Sequence, residues 1–172
     1  MSLMDELGGL LKKATGGNAS EADVHAAYDQ VSTAVPKSDL ADGLAHAFKS
    51  DKTPAFEQMV SGLFSQSNGE QKAGLLNQVL ATLGSGGVTQ ALAGAGGLGG
   101  LAGMLGGGNV TPQQAQQVPP EAVQVLAQHA AKKDPSIMDQ AAGFYAQHPT
   151  LVKSIGAGAL ALLMSKLSAS RR

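Results

Sequence analysis

Residues 93–108 read AGAGGLGGLAGMLGGG, a stretch in which nine of sixteen residues are glycine and none is charged. It lies inside a 48-residue uncharged interval, Ala73 to Pro120. What stands on either side of it decides the fold. Upstream, Val35-Pro36 precedes His46-Ala47; downstream, Val118-Pro119 precedes His129-Ala130, at an offset of 83 residues. At an offset of 81, Pro54 then aligns with Pro135, Gly62-Leu63-Phe64 with Gly143-Phe144-Tyr145, and Gln66 with Gln147. Turn residues and core aromatics recur in the same order, which reads as an internal duplication. Two copies are too few for a solenoid, so the expected product is one pseudo-symmetric helical bundle.

Helical spacing runs through the rest of the chain. Leu3, Leu7, Leu10, Leu11 and Ala14 predict a short amphipathic helix that stops at Gly16-Gly17. Residues Asn18 to Ser20 cap a second helix carrying Val24, Tyr28 and Val31. Ser38 opens a third with Leu40, Leu44 and Phe48. Thr53-Pro54 predicts a restart, with Thr as cap and Pro at the first helical position, ahead of Phe56, Val60, Leu63 and Phe64. After Asn68-Gly69 come Leu75, Leu76, Val79, Leu80 and Leu83 on one face. In the second half, Thr111-Pro112-Gln113-Gln114 forms a capping box. Pro119-Pro120, Asp134-Pro135 and His148-Pro149 each open a further helix, the last running from 150 to about 168. No segment alternates with period two. The expected fold is therefore all-α, a multi-helix bundle from two similar helical halves joined by a Gly-rich segment. The expected divisions are 1–17, an N-terminal amphipathic helix; 18–83, the first half; 84–108, the Gly-rich connector; and 109–172, the second half.

The connector itself invites three readings. Gly94-Ala95-Gly96-Gly97-Leu98-Gly99 matches GxGxxG, but that fingerprint needs a strand before it and an acid about 20 residues on. A helical pattern precedes it, and the first acid downstream is Glu121. No GK[ST] follows any glycine cluster. Gly96/Gly100, Gly99/Gly103 and Gly103/Gly107 are each four apart, a spacing that permits close helix contact. Glycine costs roughly 1 kcal/mol per helical position, so such a helix needs a partner surface to persist. The stretch reads as a tether.

Reactive constellations are missing from the pattern. Glu21 and Asp42 each stand four residues before a histidine, His25 and His46, which reads as solvated pairing along a helix face. A di-metal bundle wants inward carboxylates and Glu-x-x-His pairs, and neither occurs. With no Cys, disulfides and thiol nucleophiles are excluded, and neither G-x-S-x-G nor H-E-x-x-H is present. The sequence names no catalytic, cofactor or metal residue, and the expectation is a protein that is not an enzyme and carries no cofactor. Net charge is −1, with twelve Lys and Arg thinly spread, so nucleic acid is not an expected partner.

Charge is unevenly divided all the same. Residues 20–83 hold eight acids and four bases, whereas 109–172 hold three acids and six bases. The halves can attract one another, or copies can associate. The last helix adds to this, since Val152, Ile155, Ala159, Leu160, Leu162, Leu163, Met164 and Leu167 nearly encircle it. Such a helix is buried centrally in a domain or in an oligomer. The expectation is a homo-oligomer closed through 150–168.

The opening MSLMDELGGLLKKA, residues 1–14, has acids where a secretory leader needs bases, and no stretch holds some 18 apolar residues in a row. It resembles the start of the YidB-like family of bacterial proteins, which begin with a short amphipathic helix and continue as helices and Gly-rich turns. That resemblance implies a small cytoplasmic helical protein and supplies no site residues.

The expected function is that of a non-enzymatic helical interaction or structural protein, which self-associates or docks a protein partner through apolar helix faces. The alternative is reversible association with a membrane surface through residues 1–14 and the glycine-rich stretch, although residues 1–19 are neutral overall and interfacial helices are usually basic. A metal-binding bundle ranks third.

Overall fold

The computed structural model describes residues 20–155 and 157–170, together with Asp5, Gly9 and Lys12, which are helical. The rest of the amphipathic helix expected over 1–17 lies outside the described residues. The chain is an all-α multi-helix bundle, with no strand among the described residues. Its helices are α1 (Glu21–Ala34), α2 (Lys37–Lys49), α3 (Phe56–Gln66), α4 (Gly69–Ala93), α5 (Gly99–Leu105), α6 (Pro112–Gln116), α7 (Pro120–Lys133), α8 (Ile137–Ala146), α9 (Pro149–Val152) and α10 (Ala157–Ser170). A 3-10 turn, Lys153–Ile155, joins the last two.

Three helices begin with reciprocal caps that satisfy otherwise orphaned N–H groups. Ser20 Oγ accepts from the Asp23 N–H at 3.2 Å while the Asp23 carboxylate accepts back from the Ser20 N–H at 3.2 Å. Asn68 and Gln71 do the same for α4 at 2.9 and 3.0 Å, and Thr111 and Gln114 for α6 at 3.2 and 3.0 Å. Elsewhere the starts shift. α2 begins at Lys37 behind Pro36, one residue ahead of Ser38. Thr53 does not cap α3, which begins at Phe56 behind Ala55; its hydroxyl turns back and donates to the Ala47 carbonyl at 2.6 Å. The helix expected from 150 is interrupted at the 3-10 turn.

The helices gather into two compact units, residues 1–54 with 142–172 and residues 55–141. This division differs from the one at 84–108 expected from the sequence, because each unit draws helices from both sides of the glycine-rich stretch. In the first unit, α10 packs along α2 and α1. Leu40, Leu44 and Phe48 of α2 and Leu160, Leu163 and Leu167 of α10 are all buried. Gly43 allows the close approach: a Cβ there would stand 3.3 Å from both Cγ and the carbonyl oxygen of Leu163. Two polar ties secure α1. The Tyr28 hydroxyl donates to the Pro149 carbonyl at 2.9 Å, and Lys153 pairs with Asp29. Burial, and then the neighbouring Asp29 charge, push the Tyr28 phenol well above its ordinary pKa.

In the second unit, α7 packs on both α3 and α4, and α4 also carries α5 and α6. Phe56, Val60, Leu63 and Phe64, Leu75, Leu76 and Val79, and Val123, Leu126 and Ala130 are all buried in a mainly apolar core, where the Ser67 hydroxyl donates to the Leu63 carbonyl at 2.7 Å. Each such large side chain contributes about 1.5–3 kcal/mol by leaving water. The boundary between the units falls within α8, between Ala141 and Ala142.

Candidate functional site

The feature that organises the second unit is a break in α4. Gly84 adopts φ 72°, ψ 167°, inside an otherwise helical run. Only glycine reaches that region without steric cost, so the break is written at this residue. It ends one helix at Leu83 and starts another at Ser85. The Leu83 carbonyl, deprived of its helical partner, accepts from Lys133 Nζ at 2.7 Å. A cation at a helix C-terminus also meets the negative end of the helix dipole.

About two turns earlier on α4, Asn77 holds the far end of the glycine-rich stretch. Its Oδ1 accepts from the Val110 N–H at 2.8 Å, and its Nδ2 donates to the Val110 carbonyl at 3.3 Å. The side-chain amide thus stands in for a neighbouring backbone strand. Between the Gly84 break and this clamp lies a cleft of about 250 Å³. Leu80, Val88 and Leu105 give it an apolar floor, and Asn77, Ser85 and Asn109 a polar edge. Among the described residues, no acid and no histidine lines it. The cleft can donate and accept hydrogen bonds but has no group to move a proton.

The glycine-rich stretch folds back on α4 through α5. Residues 85–93 stay helical, with Val88, Ala91 and Leu92 buried, so the connector begins later than residue 84. Leu105 is buried, whereas Leu98, Leu101 and Met104 are half-buried. The GxGxxG match at 94–99 follows a helix and occupies a turn. Added Cβ atoms at Gly99, Gly100 and Gly103 would meet nothing within 4 Å. Among the described residues, Gly99, Gly100 and Gly103 therefore serve no close helix contact.

The histidines have separate surroundings. His25 lies 3.8 Å from Glu21, one turn away on the same helix, and His148 has its ring 5.2 Å from that of Phe144. His46 and His129 are exposed. Among the described residues, no group of three or more His, Asp or Glu could hold a metal ion, and no helix is long and apolar enough to cross a membrane. Asn77 and Lys133 escape sequence reasoning because their partners lie 33 and 50 residues away. Gly84 left a signal, since Gly84, Gly86 and Gly87 interrupt the apolar pattern after Leu83.

By architecture the chain is an all-α protein with an uncharged, glycine-lined face on α5. No protein-family model, no curated protein and no solved structure matches it.

Proposed function

We propose that the chain is a non-enzymatic helical interaction protein of the cytoplasm, which self-associates or docks a protein partner through apolar helix faces. The observation that carries this reading is the surface at α5. Leu98, Leu101 and Met104 stand half-buried beside the open glycines Gly99, Gly100 and Gly103, all within an interval that holds no charge. Apolar side chains next to bare backbone suit contact with another helix, where small residues let the axes approach.

The same reading takes the two halves as duplicates. Val35 and Val118, Ala47 and Ala130, and Phe64 and Tyr145 are aligned pairs, and both members of each are buried. His46 and His129, aligned likewise, are both exposed.

Sedimentation of the full chain over a range of concentrations tests the function. Association that weakens at least about tenfold, about 1.4 kcal/mol, in the double variant Leu101→Glu with Met104→Glu is the expected result. An unchanged association constant would remove the α5 face from this reading, and a chain that stays monomeric and instead floats with liposomes would replace it with the membrane-surface one.

A further inference from the structure

The packing joins the two sides of the glycine-rich stretch far more than it joins either side to itself. In the first unit α10, from beyond the stretch, packs on α1 and α2, from before it. In the second unit α7 packs on α3 and α4, and α6 packs on α4. The polar ties follow the same rule. Tyr28 to Pro149, Asp29 to Lys153, Asn77 to Val110, Leu83 to Lys133 and Glu57 to Gln128 each link a residue before 94 to one after 108. Net charge agrees, −4 over residues 20–83 against +3 over 109–172. Between these two sets of helices the only covalent link is residues 94–108. That link contains Gly96, Gly97 and Gly108 at positive φ, and at these three a Cβ would meet nothing within 4 Å.

We infer that the two sides of the chain are complementary folding partners and that 94–108 is a hinge through which a second copy of this chain can supply the missing side. In the exchanged dimer, residues 109–172 of each copy pack on residues 20–93 of the other, and every contact named above is kept. Exchange of identical elements is a low-cost route to a dimer because it needs no new interface. The hinge decides the outcome. A linker long enough to close gives a tethered pair a roughly millimolar effective concentration and favours the monomer; one too short to span the closed form leaves only exchange. This deepens the self-association arm of the function proposed above and rests on that arm, but it does not use the α5 face.

Two experiments on the full chain test it. In the first, a protease site is inserted between Gly99 and Gly100 and the folded protein is cut. The fragments are expected to stay together at the mass of the intact chain with undiminished helical circular dichroism. Fragments that separate and each remain helical would overturn the inference. In the second, Gly96–Gly103 is deleted and the mass measured by light scattering at about 10 µM, far below the effective concentration of a tethered pair. A folded dimer is expected, with reversion to monomer when about twenty Gly and Ser residues are inserted in place of the deleted ones. A folded monomer after the deletion overturns the inference; if the deletion variant does not fold, the cleavage result decides. A wild-type chain that never self-associates while its cut halves stay together would remove the self-association reading and leave complementarity standing.

Discussion

The last helix and the glycine-rich stretch are both apolar beyond the ordinary, yet they end in different environments. Along α10, Leu160, Leu163 and Met164 are fully buried, and Leu167 is 3% exposed. The residues around Leu163 are covered by the chain's own α1 and α2, the first of the two environments, domain or oligomer, that a helix apolar on most sides allows. In the glycine-rich stretch Leu105 is buried, but Leu98, Leu101 and Met104 are covered only in part. An apolar count on a helix thus says that the helix wants cover. Where the cover comes from depends on what else the chain can bring there, and Gly43 brings α2 against Leu163.

The sharpest way to break this comparison is to place the same charge in both regions. Leu163→Glu buries a carboxylate against the Gly43 backbone and is expected to cost about 4 kcal/mol or more, enough to unfold a marginal domain. Met104→Glu sits on a half-covered surface and should cost less than about 1 kcal/mol. Urea titration of both variants gives the answer, and equal midpoints would erase the distinction.

Backbone substitutions sharpen it further. At Gly84, alanine must adopt a conformation that only glycine tolerates, so Gly84→Ala is expected to destabilise by about 1–3 kcal/mol. The thermal melt should fall accordingly; an unchanged melt would mean that the break in α4 is not required.

Tyr28→Phe removes a buried hydroxyl that donates to Pro149 and is expected to cost about 1–1.5 kcal/mol at neutral pH. It also carries a pH signature. The folded state raises the Tyr28 pKa, through burial first and Asp29 second. Its contribution is then fully present below the unfolded tyrosine value of about 10. Above that pH the unfolded chain ionises while the folded phenol stays neutral, and stability declines as pH rises toward the folded value. Stability measured through this range should fall less steeply in Tyr28→Phe than in wild type; parallel curves would contradict the assignment.

The smallest effect has the opposite sign. Gly100→Ala meets open space in a helix, and is expected to stabilise by about 0.5–1 kcal/mol through lower unfolded-state entropy. A loss of stability there would show that the glycines of α5 are covered after all.

Much of the local structure was legible in the residues alone. The caps at Ser20 and Thr111 and the restart at Pro119-Pro120 were read from adjacent residues because their hydrogen bonds close within one turn. The apolar faces of α2, α3, α4 and α7 were readable for the same reason, since helical period depends on near neighbours. Thr53-Pro54 does not start α3: the Thr53 hydroxyl donates back to the Ala47 and Ser50 carbonyls, and the helix takes Ala55 as its N-cap, a choice made by the turn that precedes it.

The cleft lay beyond that range. Asn77 and Lys133 are ordinary polar residues on helices until the chain returns Val110 and Leu83 to them. The sequence by itself determined that this chain is helical, where most of its turns fall and which side of each helix seeks cover. Only the tertiary structure decided that helices from before residue 94 find their cover on helices from after residue 108. Periodicity records how strongly a face is driven out of water, but that drive has no direction. Direction comes from shape, and here it rests on Gly43 admitting α10 and on Gly84 turning α4 so that Leu83 meets Lys133.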